Sequence, residues 1–376
     1  MRRLLLSDCK EALKATSAEG NAEMRVHQDY PLNVGASAHS VRQKFITEQK
    51  NFYIRNHGSL PTVDVQHYRL TVGGLVQTSL ELTLDELRAA FSSVTVTATL
   101  QCAGHRRDEL AAIRAIPGEV IWSAETAGTA TWKGVALRDL LQAAGLKKSA
   151  RHVAFLGLDE ISKDGERFGF GGSIPVEKAL SSEVLLAYEM NGEPLAPAHG
   201  FPVRVVVPGY IGARSVKWLA NITLQEEPSS NYYQARAYKL FPPHIRAETA
   251  DWQQGQMLGP LPINSVICSL QPGAVCQAGQ LAIQGYAIAG EDQRIERVEL
   301  SLDAGASWLE ATLTEQARRW AWSFWEASVQ VQPGTYQLMV RAWDTAGHVQ
   351  PENLESIWNW KGYLNNAWQR VTISIE

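Results

Sequence analysis

Hydrophobic and polar positions change their period several times along residues 45–260, so this part of the chain predicts a mixture of strands and helices. Period-two alternation, β-branched runs and unbroken apolar runs are typical of strands, and the stretches that show one of these features are 67–72, 94–100 and 203–207. The first predicted helix begins after Thr83, which can form a capping box with Glu86. The second covers 137–144, and Gly145 suits its C-terminus.

The pattern changes near residue 258, where Gly-Pro-Leu-Pro at 259–262 predicts a hinge. Beyond it, strand-like stretches alternate with turn residues such as Asp-Ala-Gly and Pro-Gly, and these stretches are 281–288, 297–302, 321–325 and 336–343. Short strands at this spacing are typical of a β-sandwich. The sequence therefore predicts an α+β architecture, with an N-terminal tail (1–28, helical or loose), a mixed α+β domain (29–258) and an all-β domain (259–376).

Composition and charge narrow the class of protein. The chain has 376 residues, of which 45% are hydrophobic and 20% charged, so it can bury substantial cores. A net charge of −4 argues against a general nucleic-acid binder. The apolar start at 4–6 is interrupted by polar residues from Ser7 onward, so we expect neither an export signal nor a membrane span. A cytoplasmic enzyme or enzyme-like binding protein is the expectation.

One segment offers a reactive or metal-binding thiol. The strand predicted at 94–100 leads to Cys102, and Gly104, His105, Arg106 and Arg107 follow at once. Cations lower the pKa of a nearby thiol, and thiolate sulfur is a soft ligand that suits a transition metal. Two other interpretations stay open at this level: a buried structural cysteine, and a nucleophile that uses His105 as its base.

Three further segments place cations next to glycines, an imidazole or tryptophans. Residues 199–218 join glycines, a serine and cations after a buried strand, which fits a phosphate cradle or an ordinary basic turn. Residues 53–58 place a cation, an amide and an imidazole before a turn, as many surface loops do. Residues 358–368 contain three tryptophans, typical of a sandwich core, but Lys361 among them needs a partner if it is buried.

Taken together, these segments resemble the sulfite oxidase family of molybdenum enzymes. Residues 99–107 match the family's molybdenum-cysteine motif, 199–218 its pterin-phosphate loop and 358–368 its C-terminal signature, in the family's order. The resemblance implies a mixed α+β molybdopterin-binding domain followed by an immunoglobulin-like β-sandwich domain through which chains form homodimers. It also implies one molybdenum-molybdopterin cofactor per chain.

The resemblance further implies site residues, position by position. Cys102 would be the protein ligand to molybdenum. The cofactor would be bound by Tyr53, Arg55, Asn56, His57, Asp159, His199, Arg204, Ser215, Val216 and Lys217. The substrate oxyanion would be bound or enclosed by Arg55, Arg107, Trp122, Tyr238 and Lys361. Independently of the family, guanidinium groups match the oxygens of small anions such as sulfite and sulfate.

The expected function is the oxidation of sulfite to sulfate by oxygen-atom transfer. Lys361 keeps a positive charge where animal enzymes of the family have arginine, and this charge favours sulfite over nitrate. His105 and Ala237 depart from the family's usual asparagine and acidic residue. No His-Pro-Gly-Gly text is present, so no haem is expected in this chain, and a cytochrome or oxygen would accept the electrons. The alternatives are reduction of nitrate or a sulfoxide on the same scaffold, or a non-catalytic partner-binding module.

Overall fold

A computed structural model of the chain describes residues 24–315 and 317–376. Most of the tail predicted over 1–28 lies outside the described residues. Its last part differs from the prediction, because Met24–Asp29 forms strand β1 and folds back on β2 (Leu32–Ala36). The hairpin forms because both segments have β-branched residues at facing positions, with Val26 opposite Val34.

The first domain is a mixture of short helices and strands. Its helices are α1 (Ala38–Arg42), α2 (Leu84–Ala90), α3 (Arg107–Ile113), α4 (Leu137–Ala144), α5 (Val176–Ala179) and α6 (Tyr232–Ala235). Its remaining strands are β3 (Ile54–Arg55), β4 (Leu70–Gly74), β5 (Leu80–Leu82), β6 (Ser93–Gln101), β7 (Ala127–Ala136), β8 (His152–Gly157), β9 (Ile161–Lys163), β10 (Glu166–Phe168), β11 (Gly171–Pro175), β12 (Leu185–Met190), β13 (Glu193–Pro194), β14 (Arg204–Val206), β15 (Leu219–Gln225), β16 (Lys239–Leu240) and β17 (Gln256–Met257).

Two sheets organise this domain. One has the strand order β11-β8-β15-β4-β5, and the other the order β13-β12-β7-β6, with β14 also paired to β12. The first sheet contributes Leu70, Val153 and Ile222 to the main core, which Leu140 and Leu141 of α4 join. Strand β6 runs antiparallel to β7 along its whole length, and its last four residues are buried. The end of β6 therefore delivers the next residues into the interior of the domain.

The second domain is a sheet of eight strands curled into a sandwich. Its strands are β18 (Asn264–Ile267), β19 (Val275–Cys276), β20 (Gly279–Ile288), β21 (Ile295–Ser301), β22 (Leu309–Leu313), β23 (Ser323–Val331), β24 (Gly334–Asp344) and β25 (Gln369–Ile375). A short helix, α7 (Leu354–Ile357), lies between β24 and β25 in the chain. The order is β18-β20-β23-β22-β21-β24-β25-β19, and β22 pairs with strands on both sides. Ile283, Trp325, Val340 and Val371 fill the space between the two faces.

Most elements predicted from local patterns are confirmed. The Thr83 capping box is present at α2, and α4 covers the predicted residues and ends at Gly145, whose φ is +71°. The strand predicted over 67–72 begins later, at Leu70. The side chain of Tyr68, which precedes the strand, is buried and donates its hydroxyl hydrogen bond to the Leu219 carbonyl at 2.6 Å. No helix among the described residues has the length and apolarity that crossing a bilayer needs.

Candidate functional site

A cavity lies where β6 ends, and it encloses about 660 Å³ of empty space counted with its open mouth. Cys102 is the first residue after β6, and its side chain is only 6% exposed. Its sulfur accepts a hydrogen bond from the Gly104 backbone N–H at 3.4 Å. Eleven of the residues predicted for the site line the same cavity: Tyr53, Arg55, Asn56, His57, Cys102, Asp159, His199, Arg204, Ser215, Lys217 and Tyr238.

The turn after Cys102 depends on two special positions. Arg106 has a φ of +58°, in the left-handed region, which reverses the chain between β6 and α3. Gly104 has no side chain, and a Cβ there would lie 2.5 Å from the guanidinium of Arg107. His105 uses both ring nitrogens, with Nδ1 3.2 Å from the Thr126 hydroxyl and Nε2 3.0 Å from the Tyr286 hydroxyl. Because neither nitrogen faces Cys102, the structure gives no support to His105 as the base of a cysteine nucleophile.

Three cations, of which Arg204 is buried and Arg55 and Lys217 are partly buried, line the cavity without a carboxylate partner. Among residues 24–315 and 317–376, no ion pair involves Arg55, Arg204 or Lys217. Arg204 donates to the carbonyls of His199 at 3.0 Å and Ser215 at 3.1 Å. The ammonium of Lys217 contacts the Asn56 side-chain oxygen and donates to the Ala198 carbonyl at 2.9 Å.

Burial disfavours the charged forms of Arg204 and Lys217. It lowers the pKa of Arg204 to about 10, and burial together with the nearby Arg204 lowers the pKa of Lys217 well below its ordinary value. An anion placed in the cavity would restore both pKa values, because it would compensate the positive charge. The side-chain N–H₂ of Asn56 is also buried without a hydrogen-bond partner, so the cavity has an unused donor as well as unused charge.

The histidines of the cavity are neutral donors and acceptors. Burial and neighbouring cations lower the pKa of His199 to about 3, and they lower the pKa of His57 well below its ordinary value. His199 donates from Nε2 to the Gln49 carbonyl at 2.9 Å. His57 lies 2.9 Å from the Tyr238 hydroxyl and stacks on Tyr233 with ring centroids 4.2 Å apart. Both rings are therefore held in fixed orientations.

Asp159 and Ser215 shape the backbone around the cavity. The Asp159 carboxylate accepts from the Phe170 N–H at 2.9 Å, and burial raises its pKa. The Ser215 hydroxyl accepts from the Val207 N–H at 3.0 Å. Val216, predicted for the same site, lies between two cavity residues, but its side chain packs in the main hydrophobic core instead. The structure thus does not bring the Val216 side chain to the cavity.

Three predicted substrate residues form a second group beside the cavity. Arg107 donates to the carbonyls of Lys361 at 3.0 Å and Val120 at 2.7 Å. Lys361 forms an ion pair with Glu119 at 2.8 Å. Trp122 is fully buried, and its indole N–H has no hydrogen-bond partner among the described residues. Arg107, Trp122 and Lys361 therefore do not line the cavity of Cys102.

Two tyrosines connect the two groups. The ring of Tyr363 stacks on Tyr238 with centroids 5.2 Å apart, and the Arg107 guanidinium lies 5.2 Å from the centre of the same Tyr363 ring. Tyr238 belongs to the cavity of Cys102, whereas Arg107 belongs to the second group. Tyr363 thus joins the thiol-bearing cavity to the cations beside it.

Comparison with known proteins identifies the family to which this chain belongs. Residues 57–233 match the model of the oxidoreductase molybdopterin binding domain, and residues 256–376 match that of the Mo-co oxidoreductase dimerisation domain. The sulfite oxidase of Arabidopsis thaliana is 38% identical over 373 residues, which cover 94% of each protein. The chain belongs to the sulfite oxidase family. It is thus a molybdopterin-dependent oxidoreductase, and the dimerisation-domain match supports a homodimer.

Two further relatives of this sulfite oxidase family member support the assignment. The sulfite oxidase of Gallus gallus is 40% identical over 357 residues, covering 92% of this chain and 77% of that protein. The crystal structure of the sulfane dehydrogenase SoxCD from Paracoccus pantotrophus superposes with a TM-score of 0.81 at 26% identity, covering 96% of this chain and 92% of the other. The similarity therefore extends through both domains.

The residues of the cavity fit the cofactor of the sulfite oxidase family. The described residues contain no group of three or more His, Cys, Asp or Glu side chains that could hold a metal ion. A metal bound at Cys102 would consequently need its other ligands from a cofactor. A cofactor that carries a phosphate would also compensate the buried charges of Arg204 and Lys217.

Sequence reasoning missed Phe52 and Phe170 in the wall of the cavity, and it missed Glu119 and Tyr363 beside it. Tyr363 lies inside the Trp-rich segment at 358–368, so its place among buried aromatic residues was a usable signal. Lys361 in that segment was expected to need a partner, and Glu119 is that partner. No local pattern around Glu119 indicates the pairing, because the two residues are far apart in the sequence.

Proposed function

We propose that this chain oxidises sulfite to sulfate at a molybdenum-molybdopterin cofactor and passes the electrons to an external acceptor. The observation that carries the proposal is a buried thiol, Cys102, in one cavity with three cations that lack carboxylate partners. A metal ligand beside uncompensated positive charge suits an anionic metal cofactor. The sulfite oxidases of Arabidopsis thaliana and Gallus gallus supply the choice of substrate.

The cavity residues would hold the cofactor in two ways. Cys102 would be the protein ligand to the metal, and Arg204, Lys217 and the Asn56 amide would bind its anionic and polar groups. Tyr53, His57, Asp159, His199 and Ser215 would orient it from the walls. The bound cofactor supplies the oxygen-atom transfer and the redox change, while the protein positions the reactants and excludes water.

Substrate binding would use the cations that lie toward Tyr363. Arg55 lines the cavity, and Arg107 and Lys361 lie next to it, so an oxyanion entering from this side would meet positive charge from three directions. Such charge both binds small anions and steers them from solution. Trp122, predicted as a pocket wall, is fully buried outside the Cys102 cavity, so it would support this side from behind.

Tyr238 would donate a hydrogen bond to a reacting oxygen in the cavity. Its hydroxyl lies 2.9 Å from Nε2 of His57, and burial raises the pKa of this hydroxyl so that it keeps its proton. A neutral hydroxyl can donate its hydrogen bond to an oxygen in the cavity while it accepts one from the neutral His57 imidazole behind it.

The test is sulfite-dependent reduction of ferricyanide, with molybdenum and pterin measured in the same sample. Sulfite and water yield sulfate, two protons and two electrons, so two ferricyanide ions should be reduced for each sulfite consumed. In Cys102→Ser we expect a folded protein that retains pterin through its cations but has no measurable turnover. Cys276→Ser is the control, because that free thiol lies in the sandwich domain, and it should keep full activity.

Either of two results would overturn the proposal. Normal turnover by Cys102→Ser would remove Cys102 from the metal. No reduction of ferricyanide by molybdenum-loaded wild-type protein would leave the cofactor assignment in place and reject sulfite, and nitrate and sulfoxides would then be assayed as oxidants.

A further inference from the structure

A carboxylate occupies the cations that the proposed function assigns to the substrate. Glu119 forms an ion pair with Lys361, with Oε1 2.8 Å from the ammonium, and its other oxygen lies 3.7 Å from the Arg107 guanidinium. The side chains are 13% exposed for Glu119 and 18% for Lys361, so solvent screens this contact only in part. No other ion pair involves Lys361 within residues 24–315 and 317–376.

Glu119 is ionised in this position. Burial opposes ionisation, but Arg107, Lys361 and Arg55 together lower the pKa of Glu119 below its ordinary value. The interaction is mutual, since Glu119 is among the groups that raise the pKa of Arg55 against the effect of burial. One negative charge thus acts on all three cations proposed for the oxyanion.

An oxyanion that binds to Arg107 and Lys361 must compete with the Glu119 carboxylate for their donors. Arg107 directs its remaining N–H groups at the carbonyls of Lys361, Gly362 and Val120. Glu119 approaches the Nη2 group of Arg107 and the ammonium of Lys361. An oxyanion that binds both cations must therefore displace Glu119 or share their donors with it.

A second cavity lies on the other side of Glu119, and the side chain could rotate toward it. It is a groove of about 690 Å³ that is largely open to solvent, and Glu119 lies in its wall with Arg25 and with His27, whose ring already lies 2.6 Å from the Glu125 carboxylate. The residue before Glu119 is Gly118, which has a φ of +78° and open space where a Cβ would be. A rotation of the Glu119 side chain toward this cavity would exchange Arg107 and Lys361 for Arg25 and solvent.

We propose that Glu119 is an internal competitor for the oxyanion site, which pairs with Arg107 and Lys361 when the site is empty and turns toward the second cavity when an oxyanion binds. The inference rests on the proposed function for the identity of the anion. Glu119 would weaken the binding of sulfite and sulfate alike, and it would thereby speed the departure of the doubly charged product.

The test measures sulfate binding to the molybdenum-loaded protein by isothermal titration calorimetry, without an electron acceptor. Glu119→Gln keeps the size of the side chain and can still accept a hydrogen bond from Lys361, but it removes the charge. We expect sulfate to bind about tenfold more tightly, because a like charge is removed from the site. Glu310→Gln is the control, since it makes the same charge change on an exposed residue of β22, and it should leave sulfate affinity unchanged.

A double-mutant cycle separates competition from a general charge effect. Lys361→Met should weaken sulfate binding, and Glu119→Gln should then gain less affinity in the Lys361→Met background than in wild type. Thermal unfolding and molybdenum content of each variant establish that folding and cofactor are kept. Unchanged or weaker sulfate binding in Glu119→Gln would overturn the proposal, and so would an equal gain in both backgrounds.

Steady-state kinetics distinguish this proposal from the proposed function. If the protein oxidises sulfite, Glu119→Gln should lower the KM for sulfite and strengthen inhibition by sulfate. If wild-type protein fails to oxidise sulfite but Glu119→Gln binds sulfate more tightly, the competitor role stands and the substrate assignment falls. If sulfite is oxidised and sulfate affinity is unchanged in Glu119→Gln, only the competitor role falls.

Discussion

At the scale of single residues, the hydroxyl of Tyr238 offers the sharpest probe of chemistry. It contacts His57, whose low pKa leaves the imidazole neutral, and its ring is fixed by stacking on Tyr363. Tyr238→Phe removes one oxygen and little volume. We predict that it lowers kcat at saturating sulfite by about tenfold or more, because a hydrogen-bond donor in the wall of the cavity is lost. Steady-state kinetics with ferricyanide check this prediction.

The control for Tyr238 is another buried hydroxyl. Tyr68 donates to the Leu219 carbonyl in the main core, away from the cavity. Tyr68→Phe should lower thermal stability and leave kcat unchanged. Full activity of Tyr238→Phe would exclude this hydrogen-bonding role, and an equal loss of kcat in both variants would point to a structural effect instead.

The local amino-acid sequence predicted the positions of some site residues better than those of others. The thiol and cations at 102–107 lie in one loop, so their proximity follows from their order in the chain. Val216 was assigned to the cofactor by family position, but its neighbours Ser215 and Lys217 face the cavity while its own side chain faces the core. The Glu119–Lys361 pair joins residues 242 positions apart, and only tertiary packing creates it.

At the scale of elements, capping and periodicity explain why α2 and α4 could be predicted. Their signals lie within a few residues: the Thr83–Glu86 capping box of α2, and the buried Leu137, Leu140 and Leu141 of α4. The start of β4 could not be predicted in this way. Strand β4 pairs with β15, which comes much later in the chain, so its start depends on a contact that the local pattern does not show.

Helix α3 carries a carboxylate whose charge opposes folding at neutral pH. Asp108 lies in the first turn of α3, and burial and the nearby Glu109 raise its pKa to about 6, against an ordinary value of 3.8. Between these two pH values the unfolded chain releases a proton that the folded protein keeps. The stability contributed by protonated Asp108 is therefore present below pH 3.8 and lost as the pH rises through about 6.

We predict that Asp108→Asn is more stable than wild type at high pH and not at low pH. The gain should be about 1–3 kcal/mol at pH 8, seen as a Tm higher by roughly 2 °C or more. Thermal unfolding of both proteins at pH 8 and at pH 4 provides the measurement. A Tm difference that is the same at both pH values would show that the substitution acts through packing and not through the charge.

At the scale of the whole molecule, the sandwich domain supports the loop that bears Cys102. The side chain of Arg106 is fully buried and donates to the Asn264 side-chain oxygen at 2.7 Å. Asn365 donates to the Arg106 carbonyl at 2.8 Å. Two asparagines of the sandwich thus hold the left-handed residue that turns the chain behind the thiol.

Other whole-molecule expectations from the sequence stay predictions. These are the domain boundary at 258, the cytoplasmic location and the external electron acceptor. The two-part architecture was predictable, because a mixed α+β pattern gives way to short strands near the same place in the chain. The contact between the domains was not predictable, because it depends on side chains such as Arg106 and Asn264 that meet only in the folded protein.

The dependence of the metal loop on the sandwich can be tested with Asn264→Ala. The substitution leaves a buried guanidinium N–H without its acceptor, which should cost about 1–3 kcal/mol of stability, and it should loosen the turn behind Cys102 so that molybdenum is lost faster on mild heating. Asn221→Ala is a matched control, because its amide bonds to Thr71 within the first domain at 2.8 Å and should affect stability alone. If both variants lose molybdenum at the same rate at equal distance below their Tm values, the sandwich does not act on the metal loop and serves only as a separate folded unit.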